Sequence, residues 1–336
     1  MTRQLHIPVR YLVEAVRADA TEGAAGTMTT RPGPGSGRPD PGLSVIMSER
    51  RQLINLAYRL LGSLTEAEDA VQEAYARWYA MTRQQQVVIE NPGAWLTTVA
   101  SRICLDMLGS ARARRETYVG AWLPEPLPGP AEWRGGRLGA DADPADRITL
   151  DESVSMAFLV VLETMTPAER VAFILHDVFG HSFAEVAQIT GRTSATCRKL
   201  ASTARRRVRA SRAPAAPSAR QAGLVRDFKK AWEAGDINAL IDILDPRATV
   251  TADGGGLVTA ALRPVEGAGQ IARFYAGIVG ITRNMTVLER MVNGQPGLVA
   301  QLDGVVTVFA FDIAGDRIKH IWAVRNPEKL RPWTAG

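Results

Sequence analysis

The sequence predicts a multidomain protein in which two all-α modules precede a C-terminal α+β module. Three observations support this fold class. Capped amphipathic helices occupy residues 47–117, a helix, a glycine and a cationic helix follow one another at 182–212, and strand-like alternation prevails after about residue 247. The length of 336 residues also favours two or three domains.

The first module, residues 47–117, contains three predicted helices. The first ends at Gly62, and the second opens with a capping box at 65–68 and turns an apolar stripe inward. That stripe leaves three polar residues facing outward, namely Asp69, Gln72 and Glu73. The third helix begins at Asn91-Pro92, places Trp95 inward and runs into a cluster of cations: Arg112, Arg114 and Arg115. On pattern alone, a small bundle with a solvated acidic face explains this module equally well.

The second module, residues 149–212, ends in a predicted helix-turn-helix. Ser182 and Glu185 form a capping box, Gly191 ends the first helix, and Thr193 caps the second. Residues 192–212 contain eight arginines and lysines and no carboxylate, a charge pattern typical of a helix that lies between phosphates. The candidate contacts to a DNA duplex are Arg192, Ser194, Thr196, Arg198, Lys199 and Arg205. A solvated basic helix is the alternative.

The segments around these modules are rich in helix breakers. Residues 1–46 are predicted to be a disordered N-terminal extension, and a translation start at Met47 or a flexible functional arm are two interpretations of it. Residues 118–148 and 213–220 are predicted linkers. The first linker contains the pentapeptide Trp122-Leu123-Pro124-Glu125-Pro126, whose apolar residues favour a docking segment over an inert spacer.

The third module, residues 221–336, has nearly balanced charge, so DNA binding by it is not expected. Two helices are predicted before Pro246, strands at 247–252 and 257–262, a helix at 267–279, and four further strands at 284–292, 297–302, 304–312 and 317–324. Helices followed by a curved antiparallel sheet predict an α+β cone or barrel.

Composition argues against a membrane-spanning protein and against a disulfide or metal site. The excess of 40 cations over 35 anions is modest, and no apolar run approaches the length of a membrane span. Cys104 and Cys197 lie on apolar helix stripes and are expected to be buried thiols, which fits a cytoplasmic location. His176 and His181 are expected to be helix-end residues, so neither a metal nor a cofactor is expected.

The first two modules resemble the extracytoplasmic-function (ECF) sigma factors, members of the sigma-70 family that direct bacterial RNA polymerase to promoters. The motif at 68–74, the motif at 95–100 and the arginine cluster are similar to region 2 of these factors, and the helix-turn-helix with the Thr166-Pro167 opening is similar to region 4. The resemblance implies that Asp69, Gln72 and Glu73 bind the β′ clamp helices of core RNA polymerase, and that region 4 meets the β flap.

The same resemblance implies two contacts with promoter DNA. Trp95 and the cations Arg112, Arg114 and Arg115 would engage the minus-10 element, and the helix-turn-helix would read the minus-35 duplex. Such a protein needs no catalytic residues of its own. The pentapeptide at 122–126 narrows the resemblance further, to a subgroup of ECF sigma factors that carries a C-terminal extension.

The extension resembles the SnoaL-like domains of the polyketide cyclase and ketosteroid isomerase superfamily, mainly in the order of its elements. Two motifs match the sigma subgroup: Asp253-Gly254-Gly255-Gly256, followed by Leu257 where a cation is usual, and Asn326-Pro327-Glu328-Lys329-Leu330, with glutamate for aspartate. The resemblance implies that this domain packs on the linker and controls the sigma regions in cis, so that no separate anti-sigma factor is required. It also implies contact between 122–126 and the Asp253 loop, which from its residues alone reads as a plain hairpin turn.

Two alternatives remain open at this point. The cone is a candidate site for a small ligand or for cyclase or isomerase chemistry, with Asp253, Tyr275, Asp303 and His320 as candidate proton-transfer residues. The chain would then be an enzyme or a ligand-responsive regulator fused to a DNA-binding module, although neither explains the exposed acidic helix of the first module.

Overall fold

The computed structural model describes residues 41–116, 118–129, 154–211, 218–282 and 284–334. The first module consists of α1 (Pro41–Leu61), α2 (Leu64–Tyr79), α3 (Arg83–Val87) and α4 (Pro92–Glu116). Because α1 begins at Pro41, residues 41–46 are helical and not part of a disordered extension. The remainder of that predicted extension, residues 1–40, lies outside the described residues.

The start of α2 and the presence of α3 differ from the sequence prediction. The N-cap of α2 is Ser63, whose hydroxyl accepts a hydrogen bond from the Glu66 amide, so the capping box predicted at Thr65 is wrong. The short helix α3, which the sequence did not predict, begins with a capping box between Thr82 and Gln85. Apolar periodicity could not reveal a helix of five residues with no buried side chain.

The second module contains α5 (Met156–Glu163), α6 (Pro167–Phe173), a π-helical turn (Ile174–Val178), α7 (Phe183–Thr190) and α8 (Ser194–Ala210). The capping box predicted at Ser182 is confirmed, and Thr193 caps α8 as predicted. The structure adds a capping box between Thr166 and Glu169 at the start of α6. Gly191 adopts φ 65°, a left-handed conformation that glycine tolerates without the steric cost of a Cβ. The helix-turn-helix prediction therefore holds, with α8 as the cationic second helix.

The two helical modules share one hydrophobic core. The Arg102 side chain of α4 donates to the Gln188 carbonyl of α7 at 2.8 Å. The buried Arg170 of α6 donates to the Leu60 carbonyl of α1 at 2.8 Å and pairs with Glu163 at 2.7 Å. The two modules are thus packed directly against each other.

The third module contains α9 (Ala219–Glu233), α10 (Ile237–Ile243), β1 (Leu244–Asp253), β2 (Val265–Glu266), α11 (Ala268–Ile281), β3 (Met285–Val292), β4 (Gln295–Leu302), β5 (Val305–Ala314) and β6 (Arg317–Val324). A 3-10 turn (Pro327–Lys329) and α12 (Arg331–Thr334) follow. The sheet order is β2-β1-β6-β5-β4-β3. The α+β prediction is confirmed.

Two details of the predicted sheet are wrong. Residues 257–262 form a loop, and the strand in this part of the chain is the two-residue β2. The sheet is not antiparallel throughout, because β1 pairs with β6 in parallel. Local alternation predicts where a strand lies but carries no information about the direction of a partner some seventy residues away.

The two faces of the sheet pack against different parts of the chain. The inner face covers an aromatic cluster in which Trp232, Phe228 and Tyr275 meet at centroid distances of 5.0 to 6.2 Å. The outer face packs against Met156 of α5, Leu123 of the linker and Leu330 of the C-terminal tail, which is the segment after β6. The third module therefore lies on both the linker and the second module. Among the described residues, no helix is both long and apolar enough to cross a bilayer.

Candidate regulatory junction and nucleic-acid surface

Asp253, at the end of β1, is the centre of a buried polar junction. Its carboxylate accepts hydrogen bonds from the Tyr118 hydroxyl at 2.6 Å, the Leu123 amide at 2.9 Å and the Gly255 amide at 3.0 Å. It also pairs with the Lys329 ammonium at 2.7 Å. Because Asp253 is fully buried, these donors replace the water that the carboxylate would otherwise need.

Lys329, in the C-terminal tail, completes this junction. Its Nζ donates to the Leu123 carbonyl at 2.6 Å and lies 4.1 Å from the ring centroid of Trp122 and 5.1 Å from that of Tyr118. A buried ammonium is tolerated when a carboxylate, a carbonyl and aromatic faces surround it. The motifs at 122–126, 253–256 and 326–330 therefore meet at one point.

The glycines after Asp253 allow the tail to approach. Gly255 has φ 63°, and a Cβ at this position would collide with the Asn326 side chain. Asn326 itself donates to the Tyr118 hydroxyl at 2.9 Å, and Trp333 donates from its indole to the Pro126 carbonyl at 2.8 Å. Leu330 is buried, whereas Pro327 and Glu328 are exposed.

Glu125 connects the linker to the first module. Its buried carboxylate accepts from the Leu64 amide at 2.8 Å and the Ser63 hydroxyl at 3.1 Å, at the N-terminus of α2. Burial raises the pKa of Glu125 to about 7, although the donors of α2 and the charge of Lys329 oppose the rise. A cavity of about 400 Å³ lies beside Glu125 and Lys329, with Glu66 on its wall.

Asn293 is a junction residue that the sequence did not reveal. It lies in the turn between β3 and β4 with φ 49°, and its side chain accepts from the Leu127 amide at 3.1 Å and donates to the Tyr58 hydroxyl at 2.9 Å. Tyr58 in turn donates to the Glu125 carbonyl at 2.6 Å. The Asn293-Gly294 pair was readable as a hairpin turn, but its long-range partners were not.

The linker also pairs with the edge strand β3. Pro128 lies opposite Val292 in an isolated antiparallel bridge, flanked by hydrogen bonds from the Gly129 amide to Met291 and from the Asn293 amide to Leu127. Pro128 thus occupies a position that needs no amide donor, which is where proline is tolerated beside a strand. Side-chain and backbone contacts together hold the linker on the third module.

The residues expected to meet polymerase and minus-10 DNA lie on the first module. Asp69, Gln72 and Glu73 are exposed on α2, and Glu73 pairs with Arg77 at 2.9 Å. Trp95 is half-buried and packs edge-on against Trp78 at 5.3 Å. Three further candidates belong to α4, but their side chains lie outside the described residues: Arg112, Arg114 and Arg115.

The residues expected to read minus-35 DNA lie at the start of α8 and just before it. Arg192, Arg198 and Lys199 are exposed, and Ser194 and Thr196 are partly exposed. The Thr196 hydroxyl lies 2.9 Å from that of Thr193, within the helix cap. Arg205 differs from the others, because its Nε pairs with Asp177 at 2.6 Å.

Within the described part of the chain, the candidate proton-transfer residues of the cone contact different groups. Asp253 is engaged in the junction, and Asp303 accepts from the Asn284 amide at 3.0 Å. His320 lies 2.6 Å from the Thr249 hydroxyl, and Tyr275 belongs to the buried aromatic cluster, where burial raises its pKa. The contacts of these four side chains therefore favour no common reaction centre.

Comparison with known proteins identifies both helical modules as sigma-70 domains. Family models of sigma-70 region 2 and sigma-70 region 4 match residues 45–114 and 155–208. The ECF RNA polymerase sigma factor SigJ of Mycobacterium tuberculosis is 38% identical over 298 residues, covering 84% of this chain and 90% of its own. The probable sigma factor SigI of the same species is 34% identical, covering 88% and 97%.

The third module is matched as well. The crystal structure of M. tuberculosis SigJ superposes with a TM-score of 0.67 at 34% identity, covering 86% of this chain and 98% of that one. The chain belongs to the ECF RNA polymerase sigma factors, in the subgroup with a C-terminal SnoaL-like domain. It is therefore a transcription initiation factor whose partners are core RNA polymerase and promoter DNA.

Proposed function

We propose that the SnoaL-like domain controls this sigma factor in cis by clamping the linker between regions 2 and 4. The observation that carries the proposal is the Asp253 carboxylate, which binds the linker through Tyr118 and Leu123 and the tail through Lys329. The clamp is intramolecular, so no separate anti-sigma factor is required. The whole switch would operate in the cytoplasm.

Promoter geometry supports release of the linker from the SnoaL-like domain as a step in initiation. By their names, the minus-10 and minus-35 elements lie about 25 base pairs apart, which is about 85 Å along B-DNA. Regions 2 and 4 share a core and meet directly through Arg102 and Arg170, so the two must separate to reach both elements. We call the form in which the SnoaL-like domain holds the linker the closed form, and the form in which the linker is released the open form. The closed form is the inactive form in this proposal.

We assign the partner contacts to the exposed residues of each region. Asp69, Gln72 and Glu73 would bind the β′ clamp helices, since a carboxylate-rich helix complements a basic partner. Region 4 would meet the β flap. Trp95 with the arginines at 112, 114 and 115 would engage the minus-10 element, and the exposed residues at the start of α8 would read the minus-35 duplex.

The SnoaL-like domain would act by contact and without catalytic turnover. The Asp253 carboxylate binds the linker, Asp303 accepts from the Asn284 amide, and His320 lies beside the Thr249 hydroxyl. A small ligand that entered this domain would modulate closure of the clamp.

Reconstituted transcription with core RNA polymerase tests the proposal. Three forms are compared: the full chain, a form ending at Ser218, and a form lacking residues 326–336. We expect deletion of the tail to raise initiation, because Lys329, Asn326 and Trp333 then no longer hold the linker. Equal initiation by the full chain and the tail-deleted form would contradict control in cis.

A further inference from the structure

The helix-turn-helix contains a stack of three side chains that includes one of the candidate base readers. The His176 and Phe183 rings lie 3.8 Å apart at an interplanar angle of 26°, and the Arg198 guanidinium carbon lies 5.2 Å from the Phe183 centroid. Phe183 is the first residue of α7, and Arg198 lies in the second turn of α8. The stack therefore bridges the two helices of the motif.

The base of this stack is fixed by a hydrogen bond. His176 Nδ1 lies 2.8 Å from the His181 carbonyl, and because a carbonyl can only accept, Nδ1 carries the proton. His176 belongs to the π-helical turn, which packs against α6 and α7. The imidazole ring is thus held by the loop ahead of α7, and Phe183 is partly buried against the shared core.

We infer that Phe183, supported by His176, is a positioning residue that orients Arg198 for reading the minus-35 element. A guanidinium stacks on an aromatic face while the hydrogen-bond donors at its edge remain available to a base or a phosphate. Stacking limits the rotamers of an exposed arginine before DNA binds, which lowers the entropy lost on binding. This inference rests on the proposed role of Arg198 as a reader.

The stacking of Arg198 on Phe183 is expected to make a small contribution to base preference at the minus-35 element. Loss of a cation–π contact at an exposed site corresponds to about a two- to fivefold change in an equilibrium constant. The effect belongs to base discrimination and not to general affinity, because Lys199 and Arg209 still supply charge. Phe183→Leu removes the ring and keeps an apolar side chain, whereas Phe183→Tyr keeps the ring.

The test uses holoenzyme formed from the full chain and core RNA polymerase, on a promoter library with a randomised minus-35 element. Transcripts are sequenced for the wild type, Arg198→Ala, Phe183→Leu, Phe183→Tyr and the control Leu200→Ala, which removes a nearby packing side chain outside the stack. We expect Arg198→Ala to lose base preference at one or two positions. Phe183→Leu should weaken the same positions two- to fivefold, and Phe183→Tyr should retain them.

The outcomes separate the two ideas. If Arg198→Ala leaves every minus-35 preference unchanged, the proposed reading role of Arg198 fails. If Arg198→Ala flattens a position that Phe183→Leu leaves intact, Arg198 reads DNA but Phe183 does not position it. If Phe183→Leu and Leu200→Ala lower all promoters by the same factor, Phe183 has only a packing role and the inference is overturned.

Discussion

Replacement of Glu125 by glutamine is expected to abolish a pH dependence of the closed form. Glu125 is buried against neutral donors of α2, and its pKa is about 7 in the closed form against 4.5 for an ordinary glutamate. The closed form therefore binds the proton more tightly than the open form. The stability that protonation of Glu125 gives to the closed form is fully present below pH 4.5. It is lost as the pH rises through about 7.

The magnitude follows from these two pKa values. Lowering the pH from 8 to 6 should raise the ratio of closed to open molecules by about tenfold, or about 1.3 kcal/mol. Glutamine imitates the protonated carboxyl, so Glu125→Gln should remain closed across this range. Glu66→Gln, on the wall of the same cavity, is the matched control and should keep the wild-type slope.

Single-molecule Förster resonance energy transfer measures the ratio of closed to open molecules in the free protein. Labels are attached to cysteines introduced at the exposed positions Arg77 in region 2 and Arg273 in the SnoaL-like domain, since Cys104 and Cys197 are buried. An equal pH slope in the wild type and Glu125→Gln, or a closed fraction that rises with pH, would refute the reasoning.

Three further predictions concern other contacts. Asp253→Ala should destabilise the closed form by about 3–5 kcal/mol because it strands the buried Lys329 ammonium, and adding Lys329→Met should recover much of the loss in the same energy-transfer assay. Asn293→Gly keeps the left-handed turn but removes the hydrogen bonds of the side chain, so the closed form should lose about 1–3 kcal/mol; an unchanged closed fraction would exclude this role. Asp177→Asn should free Arg205 for a phosphate, which would steepen the slope of log affinity against log salt by about 0.9 in holoenzyme binding to promoter DNA.

Local features of the fold were accessible from the sequence because they depend on nearby residues. The caps at Ser182 and Thr193 each join residues three positions apart, and both form as predicted. The cap of α2 was placed wrongly. Ser63 and Leu64 interact there with Glu125, some sixty residues away, and no local pattern records such a partner.

The junction was predictable in part, for a different reason. Resemblance to the sigma subgroup pointed to the motifs at 122–126, 253–256 and 326–330, and the structure brings all three together. It could not supply Asn293 or Tyr58, which lie outside these motifs and contact each other across 235 residues of sequence. Arg205 was named from the charge pattern alone as a DNA contact. That pattern could not reveal the pairing of Arg205 with Asp177.

A reversible covalent lock on the linker tests control in cis most directly. Pro128 and Val292 form a bridge whose neighbouring hydrogen bonds make it a non-hydrogen-bonded pair, with Cα atoms expected about 4.5 Å apart, within disulfide range. Full-length protein with cysteines at both positions is assayed for initiation with core RNA polymerase, oxidised and then reduced. We expect the oxidised protein to initiate poorly and reduction to restore initiation. Equal initiation in both states would contradict the proposal that the linker must leave the SnoaL-like domain.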